Sequence, residues 1–203
     1  MVIWFGLLLK NLIILILFLL TFQCMTLPPS VSLGEPIIQK KELGIAVLDK
    51  VKVLNVVEDY RKDTEDGLTI NLRSHLKQGK YFENVYLFNE EIPKNTEFER
   101  LQFEFTSYSH KRRIYEGYFP FAFLTLTLYI WFGGTIGIDS MEYDCRLIVK
   151  DMKDQVVYEV QKKETSEKSV NFYSSEYMLP KSEELRTKLI SDIMEHYKKR
   201  RVK

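Results

Sequence analysis

The chain has 203 residues, 28% charged and 13% aromatic, with 29 Lys and Arg against 28 Asp and Glu. A formal net charge of +1 gives no electrostatic support for a nucleic-acid partner, and 9 glycines and 6 prolines exclude collagen-like and low-complexity classes. With a leader set aside, about 180 residues remain, enough for one domain with its own core.

Met1 to Leu20 holds one charge, Lys10, ahead of an almost unbroken apolar run from Leu12 to Phe22. An apolar region of about eleven residues behind a short basic stretch has the form of a signal peptide and is short for a spanning helix. Counting Val2 to Leu9 as well, the length reaches that of a span, with Lys10 as an interior charge. The run stops at a lone cysteine, Cys24, preceded by Leu20-Thr21-Phe22-Gln23. This resembles a bacterial lipoprotein signal in a relaxed form, with Thr21 and Gln23 where the signal prefers leucine and a small residue. It implies export, cleavage before Cys24 and acyl groups, palmitate among them, on that thiol. An uncleaved anchor and an ordinary signal peptide are the competing readings. Residues 24–40 then read as an extended tether, because Pro28 and Pro29 disfavour helix.

Residues 42–57 are strand-like, with near-continuous apolar character around Leu43, Ile45 and Val47. Asp59 to Asp66 reads as a charged loop. Leu68, Leu72 and Leu76 then fall four apart, a helix with Asp63 or Thr64 as N-cap and Gly79 as its stop. Residues 81–88 form a second strand candidate. Residues 100–108 alternate, with Leu101, Phe103 and Phe105 on one side. Residues 141–150 do the same with Met141, Tyr143, Cys145, Leu147 and Val149; residues 151–154 turn, and 156–160 return as a hairpin. Pro180 and Ser182, the latter as N-cap, open a last helix whose stripe is Leu185, Leu189, Ile193 and Tyr197. The expected class is α/β, an α+β sandwich. Its sheet is mostly antiparallel, with helices 64–79 and 182–200 on one face and an apolar signal helix in front. Cys145 reads as a buried small hydrophobe, or less simply as a disulfide partner of Cys24.

Phe119 to Ile138 carries no charge over about twenty residues, the length of a bilayer span. As a transmembrane helix it places Lys111-Arg112-Arg113 on the exported side, against the positive-inside tendency. As a monotopic segment, it is a helix from Pro120 to about Phe132 ended by Gly133-Gly134. Phe119, Phe121, Phe123, Leu124, Leu126, Leu128, Trp131 and Phe132 then touch lipid, with Thr125, Thr127 and Tyr129 near the headgroups. As a core element it is simply buried, and the alternation of Thr125 and Thr127 with leucines leaves a strand open.

Two patterns are familiar. Leu72-Arg-Ser-His-Leu76-Lys-Gln-Gly79-Lys-Tyr-Phe82-Glu-Asn-Val85 is similar to the helix-to-strand passage of small periplasmic lipoproteins, whose domains resemble the amino-terminal domain of TolB and the CsgG-type secretion lipoproteins. Phe123-Leu-Thr-Leu-Thr-Leu128, Gly137-Ile138, Tyr143 to Val149, Asp151 and Val156-Val157-Tyr158 resemble the apolar segment and strand hairpin of uncharacterised lipoproteins. The resemblance implies a small bacterial envelope lipoprotein with an α/β domain, and names no activity.

His75, His110 and His196 lie at no metal-ligand spacing, and His75 reads as a surface or partly packed residue. Gly133-Gly134 and Gly137 lack the lysine-serine pair of a phosphate loop, and no Gly-x-Ser-x-Gly elbow occurs. Glu90-Glu91 and Glu183-Glu184 read as solvated charges. The run Lys198 to Lys203 reads as helix-end charge, or as a contact for anionic lipid or an acidic partner.

The sequence therefore leads to a signal peptide at 1–23, a tether at 24–40 and a lipoprotein domain at 41–203. The function expected is that of a non-enzymatic adaptor or accessory subunit of an envelope complex. It would sit on the periplasmic face of the outer membrane rather than the inner membrane, without cofactor, catalytic residue or metal. Its partners are the bilayer, through acylated Cys24 and the 119–138 segment, and an unknown envelope protein; nucleic acid is not one of them. The rival is a two-span integral membrane protein serving a transporter or sensor. A hydrolase with an unrecognised site is a third class.

Overall fold

The computed structural model describes residues 24–26, 29–39, 42–93, 96–125, 128–171, 173 and 178–201. The expected signal helix and Leu126 lie outside them. In chain order the elements are β1 (Cys24–Thr26), β2 (Leu43–Leu48), β3 (Lys52–Val53), α1 (Glu58–Gln78), β4 (Phe82–Leu87), β5 (Phe98–Ile114), α2 (Tyr118–Leu124), α3 (Leu128–Trp131), β6 (Gly137–Lys150), β7 (Val156–Val170) and α4 (Met178–Arg201).

The strands join one sheet in the order β4-β2-β5-β6-β7, with β1 and β3 also paired to β5. It is a mixed sheet, mostly antiparallel. β2 runs parallel to both β4 and β5, and β3 runs parallel to β5, while β1 is antiparallel to β5. The parallel part follows from the crossover through α1, because a helix between two strands returns the chain in its original direction.

Of the described residues, one compact unit holds 29–39, 42–93, 96–110, 140–166 and 178–201. Its core is the face read from the alternation. Leu101, Phe103, Phe105, Met141, Tyr143, Cys145, Leu147 and Val149 are buried, and so are Leu68, Leu72 and Leu76 of α1 and Leu185, Leu189, Ile193 and Tyr197 of α4. On β5 the buried positions shift from Phe105 to Tyr108 and His110, so the strand slips by one residue at Thr106-Ser107. The other face of β6 is half-buried and carries cross-strand pairs to β7: Glu142 with Lys163 at 2.8 Å and Arg146 with Glu159 at 2.8 Å. Cys145 is a free, buried thiol pushed well above its usual pKa by desolvation, so no disulfide uses it.

Three local expectations are corrected. The charged stretch from Asp59 to Asp66 is helical, because its charges lie on the solvated side of α1 and Glu58 and Asp59 suit the positive helix end. Neither Asp63 nor Thr64 caps it: Val57 stands at the cap position, and the Thr64 hydroxyl donates to the Tyr60 carbonyl at 2.6 Å inside the helix. Ser182 is buried within α4, which begins four residues earlier, so it is no N-cap either.

Residues 29–39 form no regular element, yet they are fastened to both long helices. Asn71 Nδ2 donates to the Val31 carbonyl at 2.9 Å, and the Gly34 N–H donates to Thr187 Oγ1 at 2.7 Å. Gly67 in the middle of α1 has a packing reason: a Cβ there would meet Val31 at 2.9 Å.

The second unit holds, among the described residues, 24–26, 111–139, 167–171 and 173. The Tyr115 N–H donates to Ile136 at 2.9 Å, and the Ile136 N–H donates to Val170 at 2.9 Å. Asp139 is fully buried and takes both Arg112 Nε at 2.6 Å and Nη2 at 2.8 Å, the two-pronged geometry guanidinium favours. Burial of a carboxylate is tolerable there because its charge is matched on the spot.

Candidate functional site

The apolar segment is broken, and its breaks are chemical. Thr125 ends α2: its hydroxyl donates to the Phe121 carbonyl at 2.7 Å and accepts the Tyr129 N–H at 3.0 Å. It thus serves as a stop for one helix and a cap for the next. Gly133, at φ +76°, then ends α3 in the left-handed region. Helices of 7 and 4 residues result. Among the described residues no helix is long and apolar enough to cross a membrane. The single helix from Pro120 to Phe132 and the spanning helix at 119–138, on which the two-span rival rests, are both corrected by these breaks.

A core placement is corrected as well, since neither helix contains a buried residue. Phe123 is 82% exposed, Leu124 76%, Trp131 73% and Phe132 87%, and Phe119, Phe121 and Leu128 are exposed too. Meanwhile polar groups of the segment are hydrogen-bonded within the unit. The Tyr129 hydroxyl donates to the Thr135 carbonyl at 3.1 Å, and the Gly134 N–H donates to Tyr129 at 2.8 Å. From residues 171 and 173, Asn171 Nδ2 donates to Gly133 at 3.2 Å, and the Tyr173 hydroxyl donates to Trp131 at 3.0 Å. A surface with apolar side chains outward and backbone groups internally satisfied can leave water without stranding hydrogen-bond donors.

Cys24 is described by its backbone alone. It pairs with Arg113 on β5, and Thr26 pairs with Lys111. The candidate acylation residue is therefore a strand neighbour of the residue that leads, five positions later, into α2.

His75 and His110 are buried, and His196 is exposed. His75 is buried, with Nδ1 at 3.1 Å from the Gly34 carbonyl, and desolvation lowers its pKa. His196 bonds the Tyr158 hydroxyl at 2.6 Å. His110 belongs to a cluster that sequence reasoning missed. Arg186 of α4, fully buried, donates to the Tyr143 hydroxyl at 2.8 Å and to the Ser32 carbonyl at 2.7 Å, and its guanidinium lies 5.3 Å from the Tyr143 ring centre. With Arg186 donating into the Tyr143 oxygen, the phenol hydrogen is left for His110 Nε2, which suits a neutral imidazole. Burial and then the Arg186 charge push His110 down to about 4, and burial pushes Tyr108 up to about 12. The signal was present: Arg186 stands four after Ser182 and four before Ile190, on the buried stripe.

The basic C-terminal run is engaged within the domain. Lys199 pairs with Glu195 at 2.7 Å, Arg201 with Glu99 at 3.1 Å, and Arg200 covers the Tyr158 ring. The first unit also carries open grooves. One, of about 500 Å³, is lined by Glu97, Glu99, Asp151, Lys153 and Arg201; another, of about 520 Å³, by Glu35, Glu183, Glu184, Lys188 and Asp192. Among the described residues no group of three or more His, Cys, Asp or Glu is placed to hold a metal ion.

No protein-family model matches this chain, and no curated protein matches it in sequence. Solved structures with partial likeness include a Xanthomonas campestris protein of family DUF330, at 8% identity and a TM-score of 0.48, over 82% of this chain and 90% of that one. A homolog of the neuraminyllactose-binding hemagglutinin from Helicobacter pylori is 14% identical with a TM-score of 0.38, over 82% and 88%. A minor lipoprotein from Acinetobacter baumannii is 8% identical with a TM-score of 0.30, over 80% and 90%. At TM-scores below 0.5 these likenesses assign neither family nor function, and they do not show the likeness to TolB and CsgG-type domains.

Proposed function

We propose that this chain is a bacterial envelope lipoprotein, acylated at Cys24, that holds its membrane by a second contact through residues 119–132. It serves a complex of the envelope as a non-enzymatic accessory subunit, on the periplasmic face of the outer membrane. The observation that carries this reading is the outward set Phe123, Leu124, Trp131 and Phe132 on and just after two short helices whose polar groups are hydrogen-bonded within the unit. A contiguous exposed apolar surface of this kind marks an interaction site. Trp131, with Tyr129 and Tyr173 beside it, supplies the aromatic, half-polar chemistry of the headgroup zone.

Two measurements test it. Metabolic labelling with a palmitate analogue is expected to mark the wild-type chain and not Cys24→Ser; an unlabelled wild type removes the lipoprotein. After cleavage before Cys24, Trp131 is the only tryptophan, since the chain has 2 and the other is Trp4. In vesicles of phosphatidylethanolamine and phosphatidylglycerol, brominated acyl chains are expected to quench Trp131 strongly. Quenching is expected to vanish when Phe123 and Phe132 are replaced by Asp. An unquenched Trp131 in membrane-bound protein removes the second contact.

A further inference from the structure

We infer that residues 30–39 are a releasable strap, which lifts off the domain while the core stays folded. The strap is read by side chains from three elements. The Tyr108 hydroxyl of β5 donates to the Ser30 carbonyl. Asn71 of α1 holds the Val31 carbonyl at 2.9 Å, and Arg186 of α4 holds the Ser32 carbonyl through Nε at 3.0 Å and Nη2 at 2.7 Å. His75 Nδ1 meets the Gly34 carbonyl at 3.1 Å, the Gly34 N–H reaches Thr187 Oγ1 at 2.7 Å, and the Gln39 N–H reaches the Gly79 carbonyl at 2.8 Å. This is how a protein grips an extended peptide: by its backbone.

What the strap lacks is buried apolar weight. None of its residues belongs to the core, and Ile37 and Ile38 are exposed. Its apolar contacts include Val31 over Gly67 and Pro36 over Gly79. A segment with few buried apolar contacts sits at the low end of local stability. Beneath it, Arg186 is fully buried, its pKa lowered first by desolvation, with the Glu183 carboxylate acting on its charge. Ser30 and Ser32 supply acceptors that water would otherwise supply. The cost of desolvating that cation works against the docked state, and lifting the strap relieves it. Two opposed tendencies, many backbone hydrogen bonds and one desolvated charge, make a device that can open without unfolding.

Native-state hydrogen exchange on the full chain tests the opening, and it does not depend on acylation. The probes are the Gly34 and Gln39 amides in the strap and the Asp49 and Leu54 amides, which donate to Leu101 and Phe105 at 2.9 Å in the sheet. The strap amides are expected to exchange about 100-fold faster than the sheet amides, with little dependence on denaturant. Asn71→Ala removes a bond to Val31 alone, and is expected to accelerate Gly34 and Gln39 together, about tenfold, while Asp49 and Leu54 keep their rates. Strap amides that exchange at the sheet rate in the wild type overturn the inference. So does an Asn71→Ala variant that moves all four amides equally or neither strap amide. A chain that opens its strap but takes no palmitate label removes the anchored reading and leaves the strap standing.

Discussion

Phe103 and Phe123 are the same side chain in opposite situations. Phe103 on β5 is fully buried, and Phe123 at the end of α2 is 82% exposed. Around Phe103, polar residues alternate with apolar ones and every second side chain turns inward. Around Phe123, apolar residues follow one another without a polar face, and short helices leave them nothing to pack on. Density of apolar residues therefore does not measure burial in this protein; periodicity does. Among the described residues, the longest stretch without charge is the one whose apolar side chains face outward.

That contrast can be broken or sharpened in three ways. The largest effect is expected from Phe103→Ala, which opens a cavity in the sheet core and should lower stability by about 3–5 kcal/mol, read as a shift in the urea midpoint. A small effect there means that the core is not where the alternation puts it.

Next comes acid. The His110 pKa falls from the ordinary 6.5 to about 4, and the groups facing it are Arg186, Tyr108 and Tyr143. Between those pH values the unfolded chain binds the proton and the folded chain does not. Stability therefore rises with pH across that window and is flat above it. As pH falls from 6.5 to 4 the loss from this site amounts to about 3 kcal/mol. His75, also lowered, adds a loss of the same sign. Urea unfolding at several pH values checks it, and His110→Gln should remove the His110 share of the slope; an unchanged slope means that His110 does not titrate as its burial requires. The smallest effect is expected from Phe123→Ala. It should leave stability within about 0.5 kcal/mol of wild type, as exposed positions do. A large loss would show that the segment is core after all.

Much of the larger unit was legible. Met141 to Val149 alternate and are buried at every second position, and Leu185, Leu189, Ile193 and Tyr197 are the buried stripe of α4 as their spacing predicts. The first turns of α1 were not legible, because Glu58 to Asp63 offer charge without an apolar period, and a charged helical face looks like a loop until its other side is known. The parallel placement of β2 beside β4 and β5 was not legible either, since strand order depends on which edges meet, not on any strand's own residues. In the candidate site, the apolar stretch was legible as a run without charge, but not the hydroxyl of Thr125 that divides it. Arg186 was missed because a charge on a buried stripe reads as a break in the pattern. Here its guanidinium sits over the Tyr143 ring, 5.3 Å from its centre, and donates to the Tyr143 hydroxyl and the Ser32 carbonyl.

The bonds between residues 30–34 and α4 join partners more than 150 positions apart in the chain. A contact of such sequence separation cannot form early. Whether the chain leaves a ribosome or threads through a membrane, its beginning emerges long before Arg186 and Thr187 exist to receive it. For that interval the sheet and α1 assemble with their N-terminal segment loose, and its clasping is the event that reports that the last helix has arrived.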